Sequence, residues 1–254
     1  MDRRDFSDEE WDCTLYYRVE DKYIIYEDQI SYLTSRLKEI MAYDAHSQSG
    51  GYLIRSVYFD DLHDSALFEN EGGVDEREKF RIRTYEGDDT FIRLEEKSKK
   101  SGFTHKESVV IGKDTVSCLL EDGASPHRAA LNSAVLLRED GFLFKKLYVR
   151  MNTGFLHPVT IVEYERLAFV EKTGNVRITF DMNIGASEYV DRFFEKDVYS
   201  RPVQETGAHI LEVKYDELLP EYIQNVLDIG SLQRTAFSKY TMARRNYEQI
   251  GELL

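Results

Sequence analysis

The chain of 254 residues contains only two cysteines, Cys13 and Cys118, far apart and each in a partly apolar setting. That excludes a disulfide framework and a cysteine-based zinc site, and leaves two reduced thiols as the expectation. No apolar run approaches the length of a bilayer-spanning helix, so no transmembrane segment is expected. The opening residues, MDRRDFSDEEWD, lack the apolar core of a signal peptide, which points to a cytoplasmic protein. There is no internal repeat, no low-complexity linker, and no P-loop or dinucleotide fingerprint. The histidines His46, His63, His105, His127, His157 and His209 are scattered without metal-ligand spacing, and no Ser-His-Asp or Cys-His constellation emerges. Only His105, beside Lys106, lies close to the charged stripes described below. Positive charge is in deficit: 33 Lys and Arg against 47 Asp and Glu give a net charge of −14. A general nucleic-acid binder is thereby disfavoured. A local basic cavity remains compatible with this balance, with the acidic excess placed outside it.

What the chain does have is 42% hydrophobic and 31% charged residues, with 17 Tyr and 14 Phe. This is the composition of a soluble globular protein with a substantial core and many strands. The most informative stretch is 79–97, KFRIRTYEGDDTFIRLEEK. With period two, Lys79, Arg81 and Arg83 share one side while Phe80, Ile82 and Thr84 share the other. After the turn signal Glu86-Gly87-Asp88-Asp89 the alternation resumes, Arg93, Glu95 and Lys97 opposite Ile92 and Leu94. The pattern predicts a β-hairpin whose polar face carries almost only full charges. Such a face is either solvated or built to hold an anion.

The same design recurs along the chain. Residues 1–14 read as a flexible arm; from 15 to 25 Arg18, Glu20 and Lys22 alternate with Tyr17, Val19 and Tyr23. A packing helix is expected over 27–42, from the spacing of Ile30, Leu33, Leu37, Ile40 and Met41. A strand over 52–59 follows, closed by Asp60-Asp61, which reads as a solvated turn in preference to a metal site. Residues 62–78 read as charged and irregular, and 103–111 as a further strand. Over 113–147 the apolar spacing becomes helical, broken around Gly123 and Pro126, and reads as a helical insertion into one domain spanning 15–254. Strands return at 159–169, 175–183 and 209–215, and helices are expected over 216–228 and 236–250.

For a single strand, a charged stripe is ordinarily a solvated face. Here at least five segments repeat it, and they choose Arg, Lys and Glu where exposed strands usually mix in Thr, Ser and Gln. Like charges such as Arg81 and Arg83 repel unless something negative lies between them, and guanidinium groups suit phosphate oxygens. The fold class expected is therefore α+β: an antiparallel β-barrel whose charged interior forms a tunnel, flanked by helices that include a C-terminal one. The carboxylates Glu20, Glu95 and Glu212 either hold a divalent cation that bridges to phosphate or pair with the basic residues.

In order along the chain, the segments RVEDKYII, SVYFDD, KFRIRTY, LEEKSK, YERLAF, RITFD, LEVKYD and FSKY resemble the polyphosphate polymerase (VTC-type) domain, a member of the triphosphate tunnel metalloenzymes. The resemblance runs from about residue 15 to 245. It implies that Lys22, Arg81, Arg83, Lys97, Arg166, Arg177 and Lys239 grip phosphates as the catalytic set. Lys106 and Ser238 become substrate contacts beside Glu20 and Glu95, and Glu212 the metal ligand. The implied activity is transfer of the ATP γ-phosphate to a growing polyphosphate chain with Mn²⁺ or Mg²⁺, releasing ADP. ATP and polyphosphate are the implied partners, and membrane coupling would require a separate membrane partner protein. The chain departs from the broader superfamily's Glu-x-Glu-x-Lys motif, which appears as Arg18-Val19-Glu20-Asp21-Lys22, and Ala236 stands where some relatives carry Lys. A triphosphate or nucleoside triphosphate hydrolase, and a non-catalytic polyphosphate-binding module, remain alternatives at this point.

Overall fold

The computed structural model describes residues 18–48, 50–101, 103–122, 141–230 and 232–251. The N-terminal arm, the break around Gly123 and Pro126, and Cys13 lie outside them. In chain order the elements are β1 (Arg18–Tyr26), α1 (Glu27–Leu37), β2 (Ala42–Tyr43), β3 (Tyr52–Asp60), α2 (Ser65–Glu71), β4 (Arg77–Tyr85), β5 (Ile92–Lys100) and β6 (Phe103–Ile111). Then come α3 (Lys113–Asp122), α4 (Phe142–Thr153), β7 (His157–Glu171), β8 (Val176–Ser187), β9 (Arg201–Pro202), β10 (Ala208–Asp216), α5 (Glu221–Leu227), β11 (Gln233–Arg234) and α6 (Lys239–Gly251).

All strands join one antiparallel sheet in the order β11-β1-β10-β8-β7-β3-β4-β5-β6, with β2 on β7 and β9 on β8. The α+β, antiparallel expectation is met. The closed barrel is not: among the described residues β6 and β11 end the order and do not pair. The physical reason lies at those ends, because β11 is a two-residue bridge on β1 and cannot carry a ladder across the gap. The sheet is nevertheless strongly curled. Lys97 of β5 lies 3.6 Å from Glu20 of β1, although β10, β8, β7, β3 and β4 separate their strands. Twist is increased by bulges in β7 at Val159, opposite Tyr58 and Phe59 of β3, and in β8 at Asn183 and Ile184, opposite Tyr164, where Asn183 has a φ of 52°.

The hairpin β4–β5 turns as its sequence predicts. Glu86 and Gly87 both have positive φ (53° and 68°), and the Asp88 N–H donates to the Tyr85 carbonyl at 2.8 Å. Gly at the second position of this turn relieves the left-handed backbone, and residues 88–91 carry the chain on to β5. Register then places Arg81 opposite Glu95 and Lys79 opposite Lys97.

Period two separates the two faces. On the convex side Phe80, Ile82, Ile92 and Leu94 pack beneath Leu119 and Leu120 of α3 and Leu143, Phe144 and Leu147 of α4. Phe169, Ile178, Phe180, Leu211 and Val213 pack beneath Leu33 and Leu37 of α1 and Ile223 of α5. A third apolar cluster lies on the concave side, where Tyr58, Val162, Tyr164 and Ile210 meet Leu67 of α2 and Phe237, Tyr240 and Ala243 of the α6 region. The α6 region thus covers one end of the concave face and leaves the charged remainder beyond it.

Several local readings change. The irregular stretch 62–78 contains α2, and Asp60, only 1% exposed, is no solvated turn residue. Its carboxylate accepts from the Ala66 and Leu67 amides at 2.9 and 3.1 Å and from the Tyr240 hydroxyl, so it satisfies the first free amides of α2. Helix α1 stops at Leu37, short of 42, and β10 runs on to Asp216, so the helix expected from 216 begins at Glu221. No helix among the described residues is long and apolar enough to cross a membrane.

Candidate functional site: a cation-rich concave face

Two carboxylates organise the concave face. On β5, Glu95 is 1% exposed and takes Arg81 Nε at 2.6 Å, Arg83 Nη1 at 3.8 Å and Lys106 Nζ from β6. Burial alone would raise the Glu95 carboxyl, but these cations, Arg81 foremost, hold it well below the ordinary carboxylate range. On β8, Asp181 is fully buried and accepts Arg166 Nε and Nη2 at 2.6 and 2.7 Å, together with Lys239 Nζ from the first turn of α6. Its acidity is increased in the same way, burial being overcome by Arg166 and Lys239.

Between β1 and β10 lies a looser group. Glu212 Oε1 is 3.3 Å from Lys214 and 3.8 Å from Lys22, and Oε2 is 3.7 Å from Arg166. Glu20 takes Lys22 at 3.0 Å, Lys97 at 3.6 Å and Lys214 at 3.8 Å. Despite burial, Lys214 and Lys239 hold the Glu212 carboxyl well below its usual range, and the Glu20 carboxyl stands within hydrogen-bond reach of it. Lys22 also donates to the Phe237 carbonyl at 3.1 Å, tying β1 to the segment that leads into α6.

Tyrosines join the two carboxylate centres. The Tyr164 hydroxyl accepts from Arg83 at 3.3 Å, while Arg166 and Lys239 lie 5.3 and 4.8 Å from the centre of its ring. The Tyr58 hydroxyl accepts from Arg81 at 3.3 Å. Burial would raise the Tyr58 phenol, but Arg81 and Arg83 lower it.

The structure thus brings together Lys22, Arg81, Arg83, Lys97, Lys106, Arg166 and Lys239 with Glu20, Glu95 and Glu212. Arg177 lies opposite Lys214 in the β8–β10 register, and its guanidinium is turned to Asp44 and, at 3.3 Å, the Tyr52 hydroxyl. Ser238 precedes α6, and its Oγ accepts from the Thr241 amide at 3.4 Å, which is a helix-capping contact. His105 pairs with Ser98 in the β5–β6 register, on the face opposite Lys106. Sequence reading missed Asp181, Tyr58 and Tyr164, and left Lys79 out of the candidate set although its parity with Arg81 and Arg83 places it there. Lys79 lies 5.2 Å from the centre of the Tyr240 ring.

The cations are incompletely compensated. Lys22, Lys79, Arg81, Arg83, Lys97, Lys106, Arg166, Lys214 and Lys239 face the carboxylates Glu20, Glu95, Asp181 and Glu212, with Asp60 beneath Tyr240 on the Lys79 side. Burial outweighs the nearby carboxylates at Lys106 and Lys214 and lowers both amines. At Lys79, burial together with Arg77 and Lys97 lowers the amine to about 7. In an acidic protein this is a concentrated positive field, and the ligand chemistry that relieves it is anionic. As for metals, Glu20 and Glu212 offer adjacent hard oxygen donors of the kind Mg²⁺ and Mn²⁺ accept. Among the described residues no three His, Cys, Asp or Glu form a cluster able to hold an ion alone. The donor set fits a hard ion that draws its remaining ligands from phosphate and water.

The sequence model of the VTC domain matches residues 17–247. The chain belongs to the VTC domain family. No curated protein matches it. This VTC domain is similar in fold to the putative adenylyl cyclase HpAC1 from Hippeastrum, described as having a dominant triphosphatase activity. Identity there is 12%, with 91% of this chain and 96% of that one covered and a TM-score of 0.52. It is likewise similar to a putative adenylate cyclase from Bacillus halodurans, at 14% identity, covering 87% and 93% of the two chains with a TM-score of 0.51.

Proposed function

We propose that this VTC domain is a metal-dependent polyphosphate polymerase that transfers the γ-phosphate of ATP to a growing polyphosphate chain, with the curled sheet acting as a tunnel for the polyanion. The observation that carries the reading is the row of cations gathered on the concave face, in which Lys22, Arg81, Arg83, Lys97, Lys106, Arg166, Lys214 and Lys239 share the carboxylates Glu20, Glu95, Asp181 and Glu212. Family membership supports it. Arg81, Arg83 and Arg166 hold fixed, planar donors toward the cavity and orient phosphate oxygens. Lys22, Lys97, Lys106 and Lys239 neutralise charge along the chain of phosphates. Phosphoryl transfer requires alignment and charge neutralisation more than covalent help, and an acceptor phosphate is already anionic near neutral pH. No strong general base is needed. Glu212, with Glu20 beside it, would hold Mn²⁺ or Mg²⁺; when bound, the ion supplies further neutralisation of the phosphate oxygens.

A second reading, a triphosphate hydrolase, is favoured by the fold shared with the Hippeastrum protein. Incubation with ATP and Mn²⁺, following ADP, free phosphate and long polyphosphate together, separates the two. ADP matched by polyphosphate, and lost in Glu212→Gln and Arg81→Ala with the fold intact, is the expected outcome. ADP matched by free phosphate would replace the polymerase with the hydrolase. Tight polyphosphate binding without turnover would leave a binding module.

A further inference from the structure

One end of the concave face is aromatic. At the turn end of β4, Tyr85 lies among His46, Tyr52 and Phe91, with ring centres 6.1, 6.2 and 6.5 Å from its own. The rings of His46 and Tyr85 are nearly parallel, 12° apart. Tyr52 is buried and belongs to the concave apolar cluster, so it anchors the group. His46 and Phe91 do not share that role. His46 is exposed, while Phe91 is 40% exposed and belongs to none of the apolar clusters. Two cations complete the setting. The Arg93 guanidinium lies 5.0 Å from the centre of the Phe91 ring, and Arg177 donates to the Tyr52 hydroxyl.

The cluster is continuous with the anion-holding row. Tyr85 follows Arg83 by two residues on the same face of β4, a separation of about 7 Å along the strand. Exposed, near-parallel rings beside guanidinium groups bind flat, electron-rich heterocycles through stacking. A ligand that carries phosphates at one end and a flat heterocycle at the other matches both halves of the face.

We propose that His46, Tyr85 and Phe91 form a nucleobase-stacking subsite, so that the base of a nucleotide adds affinity beyond that of its phosphates. The inference rests on the anion-binding reading of the concave face given above. Arg93 is held over the Phe91 ring while it donates to the Ser108 hydroxyl at 3.2 Å. Tyr52 supplies the rigid floor against which Tyr85 is held.

Binding titrations of ATP and of tripolyphosphate, on the wild-type protein and on Phe91→Ala and His46→Ala, test it. Stacking on an aromatic side chain is sequence-tolerant and substantial, so Phe91→Ala is expected to weaken ATP about tenfold, with tripolyphosphate affinity unchanged within about twofold. His46→Ala is expected to act in the same direction with a smaller loss. In Phe91→Trp the new indole fluorescence is expected to be quenched by ATP and not by tripolyphosphate. Equal losses for both ligands, or an ATP affinity indifferent to Phe91 and His46, would overturn the base subsite while leaving the anion site standing. Failure of the wild-type protein to bind either ligand would overturn the anion reading, and this inference with it.

Discussion

The two faces of the sheet are made from the same strands and differ only in parity, yet their energetics are opposite. Under α3 and α4, Phe80, Ile82 and Leu94 are all but completely buried among apolar neighbours. One residue away along the chain, Arg83 and Glu95 are buried and Arg81 half-buried among charges. The convex side gains stability from removing apolar surface from water, about 25 cal/mol per Å². Burying ions costs several kcal/mol each, and their mutual attraction offsets that only when every partner is present. The concave face is therefore a stability liability that an anionic ligand relieves, whereas the convex face is complete in itself.

The largest effect is expected where that liability is concentrated. Asp181→Asn removes the charge that Arg166 and Lys239 share, leaving Lys239 without its ion-pair partner and Arg166 with only the more distant Glu212 at 3.7 Å. A stability loss of about 3–5 kcal/mol is expected from denaturant unfolding. The comparison becomes sharper when tripolyphosphate is added, since a ligand that binds only the folded state stabilises it by mass action. A bound anion replaces the missing negative charge, so tripolyphosphate should recover more of the melting temperature in Asp181→Asn than it adds to the wild-type protein. No extra recovery would show that the concave cations do not face a ligand.

Phe80→Ala is the convex counterpart. It opens a cavity beneath α4, where Phe80 is 2% exposed, and should cost about 3 kcal/mol. Here the anion should restore nothing beyond what it adds to the wild-type protein, and affinity measured well below the unfolding transition should be unaltered. If Phe80→Ala weakens tripolyphosphate as strongly as a concave substitution does, the two faces are not energetically separate and the contrast fails.

This division into faces was legible in the sequence because period two is a local property. Lys22, Arg81, Arg83, Glu95 and Glu212 were each placed on a charged stripe by parity, Lys106 and Arg166 were implied by the family resemblance, and the structure gathers all of them on the concave face. Contacts between elements distant in the chain could not be read in this way. Asp181 sits in an ordinary alternation, and nothing nearby shows that Lys239, on a helix much later in the chain, shares its carboxylate. Tyr164 shares the parity of Arg166, but its contacts with Arg83 and Lys239 join three separate elements, which parity counting does not register. Asp60 looked like a turn residue because the acceptors of a short helix's first amides are recognisable only once that helix is known. Closure of the sheet depended on a pairing between chain-distant edges, and no local pattern encodes whether two edges meet.

The smallest effect concerns Lys79, and its sign differs between stability and binding. Its amine is lowered from 10.5 to about 7, first by burial and then by Arg77 and Lys97. Between these two values the unfolded chain holds a proton that the folded chain has lost, so Lys79 makes the unliganded protein more stable as pH rises from about 7 toward 10.5. An anion on the concave face reverses the preference, because a phosphate beside Lys79 favours the ammonium form and raises its pKa. Binding above pH 7 then takes up a proton, and affinity should fall as pH rises, by no more than about tenfold per pH unit. An arginine side chain stays charged over this range and contributes no slope of its own. Titrations of tripolyphosphate at pH 7 to 9 against Lys79→Arg isolate the term, since arginine keeps the charge and should flatten that part of the profile. A slope that persists unchanged in Lys79→Arg would assign the proton to another group, with Lys106 and Lys214, both lowered by burial, the next to substitute.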